Sequence, residues 1–146
     1  MSYSASAIIM LFAGLGVPVL AALNASLGQF LGSPVAAVTI LLFVAFSVIA
    51  GIFLATTSFS FEVLSETPRH LFLGGFLMVF YILSITTIAP KFGVGNAVFF
   101  VLLGQLVSAA VIDHLALFGS SGSPLNLTRS FGLVVMGVGV WLTQQV

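Results

Sequence analysis

The stretch PVAAVTILLFVAFSVIAGIFLAT (Pro34–Thr56) decides the fold, because it carries no charged side chain and is apolar almost throughout. A helix rises about 1.5 Å per residue, so about 20 apolar residues cross the hydrocarbon core of a bilayer. Ser33 and Pro34 are the residue types preferred at the cap and first position of a helix. The stretch therefore predicts a membrane-spanning α-helix.

The composition of the whole chain extends this prediction. Of 146 residues, 60% are hydrophobic, and the charged residues are three basic and three acidic. An average soluble domain has roughly 25% charged residues. Because six charged residues cannot cover a water-facing surface, we expect an integral membrane protein with no soluble domain. The zero net charge leaves no basic surface for nucleic acid, and the absence of cysteine excludes disulfides and thiolate metal sites.

Clusters of glycine, proline and polar residues divide the chain into five apolar runs. We predict an all-α membrane protein with one membrane domain, residues 1–146. Its transmembrane helices are expected at about residues 5–29, 34–56, 69–89, 95–118 and 128–146.

Local signals set the ends of the third span and mark a break in the first. Thr67-Pro68 repeats the cap-and-proline pattern, residues 57–70 are predicted as an interfacial loop, and Pro90 is expected to end the third span. The first span is interrupted by Gly14, Gly16 and Pro18. Such interruptions are typical of transport sites, so these three residues are candidates for a gating hinge, with an ordinary proline kink as the alternative.

The basic residues are divided almost evenly between the two sides of the membrane. Five spans place Arg69 and Arg129 on the side of the N-terminus and Lys91 on the opposite side. Orientation follows the Lys/Arg bias, and a difference of one residue sets it only weakly. We expect insertion in both orientations and an antiparallel homodimer. A heterodimer with a related five-span chain of opposite orientation stays open.

Four stretches carry a resemblance to a known family. They are GLGVPVLAALNASLGQFLGSPVAA (Gly14–Ala37), GGFLMVFYILSITTIAPKFGVG (Gly74–Gly95), GQLVSAAVIDHLALFG (Gly104–Gly119) and SPLNLTRSFG (Ser123–Gly132). In this order they resemble the YdcZ-like family of the drug/metabolite transporter superfamily, over nearly the whole chain. One departure is Leu20, where family members often carry glutamine, so no role for that amide carries over.

The resemblance implies a fold and a cellular location. Longer members of the superfamily have ten helices in two inverted halves of five, so this chain is similar to one half and would pair with another chain. The resemblance further implies a multi-pass transporter of the bacterial inner membrane that takes a small-molecule substrate.

Polar and aromatic side chains within the spans are the candidates for substrate binding. Polar groups inside a membrane require partners, so each is a possible site. The alternative for Gln105 is a hydrogen bond between helices, for Asn24 it is an ordinary proline kink at a packing contact, and for an aromatic residue it is packing or lipid contact. The candidates are Asn24, Tyr81, Asn96, Phe100 and Gln105.

A charged group is expected near the end of the fourth span. A negative charge at a helix C-terminus opposes the helix dipole, so Asp113 requires a cationic neighbour, and His114 and Arg129 are the nearest candidates. One interpretation is a structural pair of Asp113 with Arg129. The other makes Asp113 a proton-coupling carboxylate with His114 as its relay.

Three glycines in the fifth span predict a packing surface. Common catalytic motifs are absent from the sequence. Gly132, Gly137 and Gly139 are predicted to make one side of the fifth span smooth for a dimer contact. The sequence has no catalytic triad, HExxH motif or phosphate-binding glycine loop, so we expect no enzyme activity, metal or cofactor.

Two functions are compatible with the sequence. The first is a subunit of a secondary-active transporter that works by alternating access around a midplane site between inverted subunits. Because no carboxylate lies in the middle of a span, a neutral or weakly polar substrate is favoured over a cation. The second is an accessory or scaffold membrane protein that transports nothing.

Overall fold

The computed structural model describes residues 2–59, 61–120 and 125–145. Within these ranges the chain forms helices and no β-strand. Two of the helices are short 3-10 helices, Arg69–Phe72 and Leu117–Gly119. The α-helices are α1 (Tyr3–Phe30), α2 (Pro34–Thr56), α3 (Phe61–Glu66), α4 (Leu73–Phe92), α5 (Val94–His114) and α6 (Leu127–Thr143).

Among the described residues, four helical segments are long and apolar enough to cross a membrane: α1, α2, the segment Arg69–Phe92 and α5. The fifth predicted span corresponds to α6, which is apolar but has only 17 residues. At 1.5 Å per residue, α6 is about 26 Å long, slightly shorter than a hydrocarbon core of about 30 Å. The expected all-α membrane fold is confirmed, with four long helices and one shorter one.

The start of α2 has the cap that the sequence predicts. Ser33 Oγ accepts a hydrogen bond from the backbone N–H of Ala36 at 3.2 Å, and Pro34 occupies the first turn, where a missing N–H costs nothing. The preceding Gly32 has a φ of +64°, a left-handed conformation that favours glycine. Together these residues make the tight reversal between α1 and α2.

The region before α4 differs from the prediction. Thr67 does not cap a helix, because its hydroxyl donates to the carbonyl of Val63 at 2.9 Å. The chain instead passes through the 3-10 helix after Pro68 and begins α4 at Leu73. The predicted interfacial loop also contains α3.

Pro90 does not end α4, which continues to Phe92 and closes at Gly93, where φ is +90°. Proline removes a single backbone donor, and a helix tolerates that loss in its last turn more easily than in its middle.

The end of α5 is also earlier than predicted. The helix stops at His114 rather than near Phe118, because Ala116 and Phe118 have φ values of +49° and +54°. A right-handed helix cannot continue through these left-handed conformations. Further along, Asn126 caps α6 by accepting from the N–H of Arg129 at 2.8 Å. The predicted loop residues 121–124 lie outside the described residues.

The chain divides into two compact units, with the boundary after Val94. In the first unit α1, α2 and α4 pack against one another in every pairing. The buried residues recur at helical spacing, as expected for one face of each helix. On α1 they are Ala21, Asn24, Ala25 and Gly28, and on α4 they are Ile82, Ile85, Thr86 and Ala89.

Gly28 lets α1 approach its neighbours closely. A Cβ atom at this position would lie 3.3 Å from Thr86 Cγ2 and 3.4 Å from Pro34 Cα. Small residues drive helix association in membranes because they allow such approach. Gly28 follows Asn24 by one helical turn, so the same close contact brings the Asn24 side chain within reach of α4.

In the second unit the three α6 glycines do not share one side. A Cβ atom at Gly137 would lie 3.8 Å from Leu103 Cδ1 of α5, whereas Gly132 and Gly139 have nothing within 4 Å. At 100° per residue, Gly132 and Gly139 share a face, and Gly137 is turned about 140° away from Gly132. The prediction of a single smooth side is therefore wrong, because Gly137 faces α5.

We predict that Gly28→Ala destabilises the protein by about 1–3 kcal/mol, the usual cost of overpacking, because the new Cβ would lie 3.3 Å from Thr86 Cγ2 and the Thr86 side chain is held by its bond to Asn24. The measurement is the free energy of unfolding in mixed micelles. Gly51→Ala is the control, since that position on α2 has open space around it and should show no loss. Equal stability of Gly28→Ala and the wild type would contradict this account of the α1 contact.

Candidate functional site

A buried polar pair joins α1 to α4. Asn24 is 2% exposed and Thr86 is 1% exposed, and they are the two polar residues in the buried core of the described residues. Asn24 Nδ2 donates to Thr86 Oγ1 at 2.6 Å. The candidate site residue Asn24 therefore makes a hydrogen bond between two helices.

The other half of the Asn24 amide has no partner. Asn24 Oδ1 is buried and accepts no hydrogen bond from the described residues. Buried polar atoms in native proteins are nearly always satisfied, and an unsatisfied one requires an explanation such as a bound molecule. The structural bond to Thr86 therefore accounts for only part of the Asn24 amide.

A pocket of about 230 Å³ adjoins this amide between α1 and α2. Asn24 contributes its one polar side chain, and the remaining lining is aliphatic: Leu23, Leu27, Ile40, Leu41 and Val44. An apolar cavity with few polar groups is the usual form of a small-molecule site. Asn24 thus belongs both to the contact between α1 and α4 and to the wall of a pocket.

Sequence reasoning missed Thr86. Its signal was present, because Thr86 is the polar member of the stripe Ile82, Ile85, Thr86 and Ala89, and Pro90 follows it by four residues. Proline has no N–H, so the Thr86 carbonyl cannot receive the usual helical bond from that position. A polar residue on an otherwise apolar stripe, with a proline four residues later, was therefore the sequence pattern that indicated Thr86.

The α5 candidates Asn96 and Gln105 lie on opposite sides of their helix. They are nine residues apart, which corresponds to a half turn and about 14 Å along the axis. Asn96 is half-buried, and Phe100, one turn later, is 52% exposed. Leu103, on the same stripe as Asn96, packs toward Gly137 of α6. Gln105 is exposed on the other side. The two amides do not line one face of α5.

Tyr81 is half-buried on α4, and its hydroxyl is buried with no hydrogen-bond partner among the described residues. The neighbouring outer surface of α4 forms a shallow apolar groove of about 470 Å³. This groove is lined by Phe72, Gly75, Phe76, Val79 and Phe80. It holds no polar side chain, so it is suited to lipid chains or apolar packing.

The predicted hinge residues lie within a continuous helix. α1 passes through Gly14, Gly16 and Pro18 without a break, and both glycines have open space around them. A proline ring removes the hydrogen bond to the carbonyl four residues earlier, here that of Gly14. The weakened position in α1 is therefore present, although the helix does not bend into separate segments there.

The charged residues at the end of α5 are brought together. Arg129 Nη2 donates to Asp113 Oδ2 at 2.6 Å, and each side chain is about one third exposed, 32% and 35% respectively. His114 Nδ1 accepts from the N–H of Leu125 at 3.2 Å. Asp113 lies at the C-terminal end of α5 and Arg129 in the first turn of α6, so both charges oppose the dipole of their own helix. Each charge compensates for the unfavourable placement of the other.

These observations define a multi-helix membrane protein whose first unit holds a partly satisfied polar pair, Asn24 and Thr86, among apolar side chains. A family model described as "Putative inner membrane exporter, YdcZ" matches residues 5–142. The chain belongs to this family, which is of the drug/metabolite transporter type, and it is a multi-pass protein of the inner membrane. A search of curated proteins and a search of solved structures found no match.

We predict that Thr86→Val is more destabilising than Asn24→Leu. Thr86→Val leaves a buried amide with no partner, which costs about 1–3 kcal/mol. Asn24→Leu removes the amide, and the freed Thr86 hydroxyl can donate to its own helix, as Thr87 does to the Leu83 carbonyl. The double variant should show a coupling of about 0.6–1.7 kcal/mol in the unfolding free energy. Thr87→Val is the matched control, and strictly additive single effects would contradict the bond.

Exchanging the ion pair should not harm the protein. Asp113→Arg with Arg129→Asp keeps the pair and places each charge at the favourable end of its helix, a gain of about 0.3–1 kcal/mol per charge. The number of basic residues on that side of the membrane stays the same. Each single reversal should lower the unfolding free energy, because it places two like charges together. A double variant less stable than both single ones would contradict the pairing.

Proposed function

We propose that this chain is one subunit of a secondary-active small-molecule transporter that works by alternating access at a midplane site between two inverted subunits. Membership of an inner-membrane exporter family supports the class. The observation that carries the site is the Asn24 amide, which is buried, bonded on one side to Thr86, unsatisfied on the other and adjacent to a pocket. Transport sites are typically built from such polar groups, and Pro18 weakens the same helix six residues before Asn24.

A scaffold role fits these observations less well. A non-transporting membrane protein would be expected to bond its intramembrane amides to each other and to enclose no cavity. Here Asn24 bonds to a hydroxyl, retains a free acceptor and lines a pocket. Gln105 is exposed within α5. An amide in contact with lipid is unfavourable, which supports a covering partner chain.

A neutral substrate is supported by the position of the acidic residues. The chain has three, and in the structure Glu62 and Glu66 lie on the short α3 while Asp113 lies at the end of α5 with Arg129 as its partner. The buried faces of α1, α2 and α4 carry no charge. A cation would therefore lose its hydration at Asn24 without gaining an opposite charge.

The partner that we propose is a second copy in the opposite orientation. Most large apolar side chains are exposed, so one chain covers little of its own surface. Gly132 and Gly139 lie on one side of α6 with open space around each, and small residues of this kind allow another helix to approach closely. A related chain of opposite orientation would satisfy the same requirement and is the alternative partner.

Labelling of a single added cysteine tests the orientation. With one Cys appended to the C-terminus of this cysteine-free chain, an impermeant maleimide should label about half of the protein in intact cells. Ser2→Cys should likewise be half-labelled. Lys91→Gln removes the one basic residue on its side, so it should convert the population to full C-terminal labelling. Complete or absent labelling of the wild-type background would overturn the homodimer and favour the heterodimer.

Flux tests transport itself. Proteoliposomes of the purified chain should accumulate or release neutral aromatic solutes from a small panel, and Asn24→Leu should reduce the flux at least tenfold while leaving the protein folded. Ser47→Ala is the control, because its exposed hydroxyl bonds only the carbonyl of Phe43 in its own helix. Absence of flux for every solute, with wild-type protein that is folded and correctly inserted, would favour the scaffold role.

A further inference from the structure

We propose that the pocket between α1 and α2 binds a small, neutral, mainly apolar molecule that carries a single N–H or O–H donor, and that Asn24 Oδ1 accepts this donor. The inference specifies the substrate class of the transporter proposed above and rests on that function for its physiological role. Binding itself can be measured independently of transport.

The bond to Thr86 leaves the oxygen of the Asn24 amide as the half without a partner. An asparagine side chain has two donors on nitrogen and an acceptor oxygen. Here Nδ2 is held by Thr86 Oγ1 at 2.6 Å, while Oδ1 has no partner. A ligand that supplies a donor satisfies the oxygen. A ligand with only acceptors can use at most the second N–H of Nδ2, and it leaves the oxygen unsatisfied. Thr86 is therefore a positioning residue that makes the pocket selective for donors.

The rest of the lining limits the ligand to one polar group. The five other lining side chains are leucine, isoleucine and valine, and none can form a hydrogen bond. A second polar group on the ligand would lose its water without a replacement, which is unfavourable. A permanent cation would meet no opposite charge in this lining. The chemistry therefore selects phenol-like, indole-like or alcohol-like molecules over polyols, zwitterions and cations.

The size of the pocket suits a molecule of about one aromatic ring. Its volume is about 230 Å³. An apolar protein cavity of about 150 Å³ takes up benzene, so a single substituted ring has room here. Leu23, Ile40 and Val44 are exposed, so the pocket is open and continues into the apolar surface of α1 and α2.

Binding of three matched probes tests the inference. Phenol has one donor, anisole replaces that donor with a methyl ether, and phenyltrimethylammonium adds a charge. We expect calorimetric titration of the purified protein in detergent to show phenol binding about tenfold more tightly than anisole, with no binding of the cation. Asn24→Leu should abolish the preference for phenol, while Ser47→Ala should retain it.

Two further variants separate positioning from folding. Thr86→Val frees the amide to rotate and donate to the ether oxygen, so the ratio of phenol to anisole affinity should fall toward one. A residue with only a structural role would weaken both probes equally. Leu41→Phe fills the pocket without touching the amide pair and should weaken phenol and anisole together, which keeps the test valid even when Asn24→Leu does not fold.

The outcomes distinguish this inference from the transport proposal. Equal affinity for phenol and anisole in the wild type, or a preference that persists in Asn24→Leu, overturns the donor site even when flux is observed. A preference for phenol that depends on Asn24, with no flux in proteoliposomes, supports the site and contradicts transport.

Discussion

The contact between α1 and α4 at Gly28 is the constraint on which the first unit depends. A bilayer core offers no water, so helices associate through close packing and through the few polar groups that they share. Gly28 has no side chain to separate α1 from Thr86, and Asn24 one turn earlier then reaches the Thr86 hydroxyl. The close approach of α1 to α4 and the hydrogen bond depend on each other, because a wider separation of the two helices would lengthen the 2.6 Å distance between Asn24 Nδ2 and Thr86 Oγ1.

The same contact explains why the polar site is only half satisfied. Thr86 can accept from the amide nitrogen, but one hydroxyl cannot also serve the amide oxygen on the far side of the Asn24 side chain. The oxygen is buried in a region whose other side chains are aliphatic. A protein optimised for stability alone would place an apolar residue here, since replacing both partners of a buried bond by apolar groups is nearly neutral. The half-satisfied amide is the observation on which the proposed ligand site rests.

The charges of the chain serve a different purpose from the amide. Asp113 and Arg129 lie at the facing ends of α5 and α6, and His114 holds the backbone of Leu125 nearby. Asp113 and Arg129 each carry a charge that opposes the dipole of their own helix, and His114 is the last residue of α5. Their contacts join the end of α5 to the start of α6 and do not line a binding pocket. This arrangement supports the structural interpretation of the pair. A role of Asp113 in proton coupling would require it to leave Arg129 during transport.

Much of the fold and part of the site could be predicted from the sequence, and the limits have physical reasons. Apolar runs of about 20 residues and the Ser33-Pro34 cap depend only on local chemistry, so the membrane class and the start of α2 were correctly predicted. Thr67 and Pro90 were misjudged, because a hydroxyl can bond its own helix and a proline can lie within a last turn. Asn24 was identified from its polarity and from its place six residues after Pro18 on the first span. Its partner Thr86 is 62 residues away, and no local pattern indicates which two helices meet.

The sequence by itself determined that the chain lies in a membrane, because six charges among 146 residues cannot form a water-facing surface. It also determined which few polar side chains the membrane would have to accommodate. Only the tertiary structure decided how they are used: Asn24 bonds Thr86 and lines a pocket, Gly137 faces α5, and Asn96 and Gln105 point to opposite sides of one helix. The reason is that polarity and helical spacing are properties of one segment, whereas a hydrogen-bond partner and a pocket exist only where separate helices pack together.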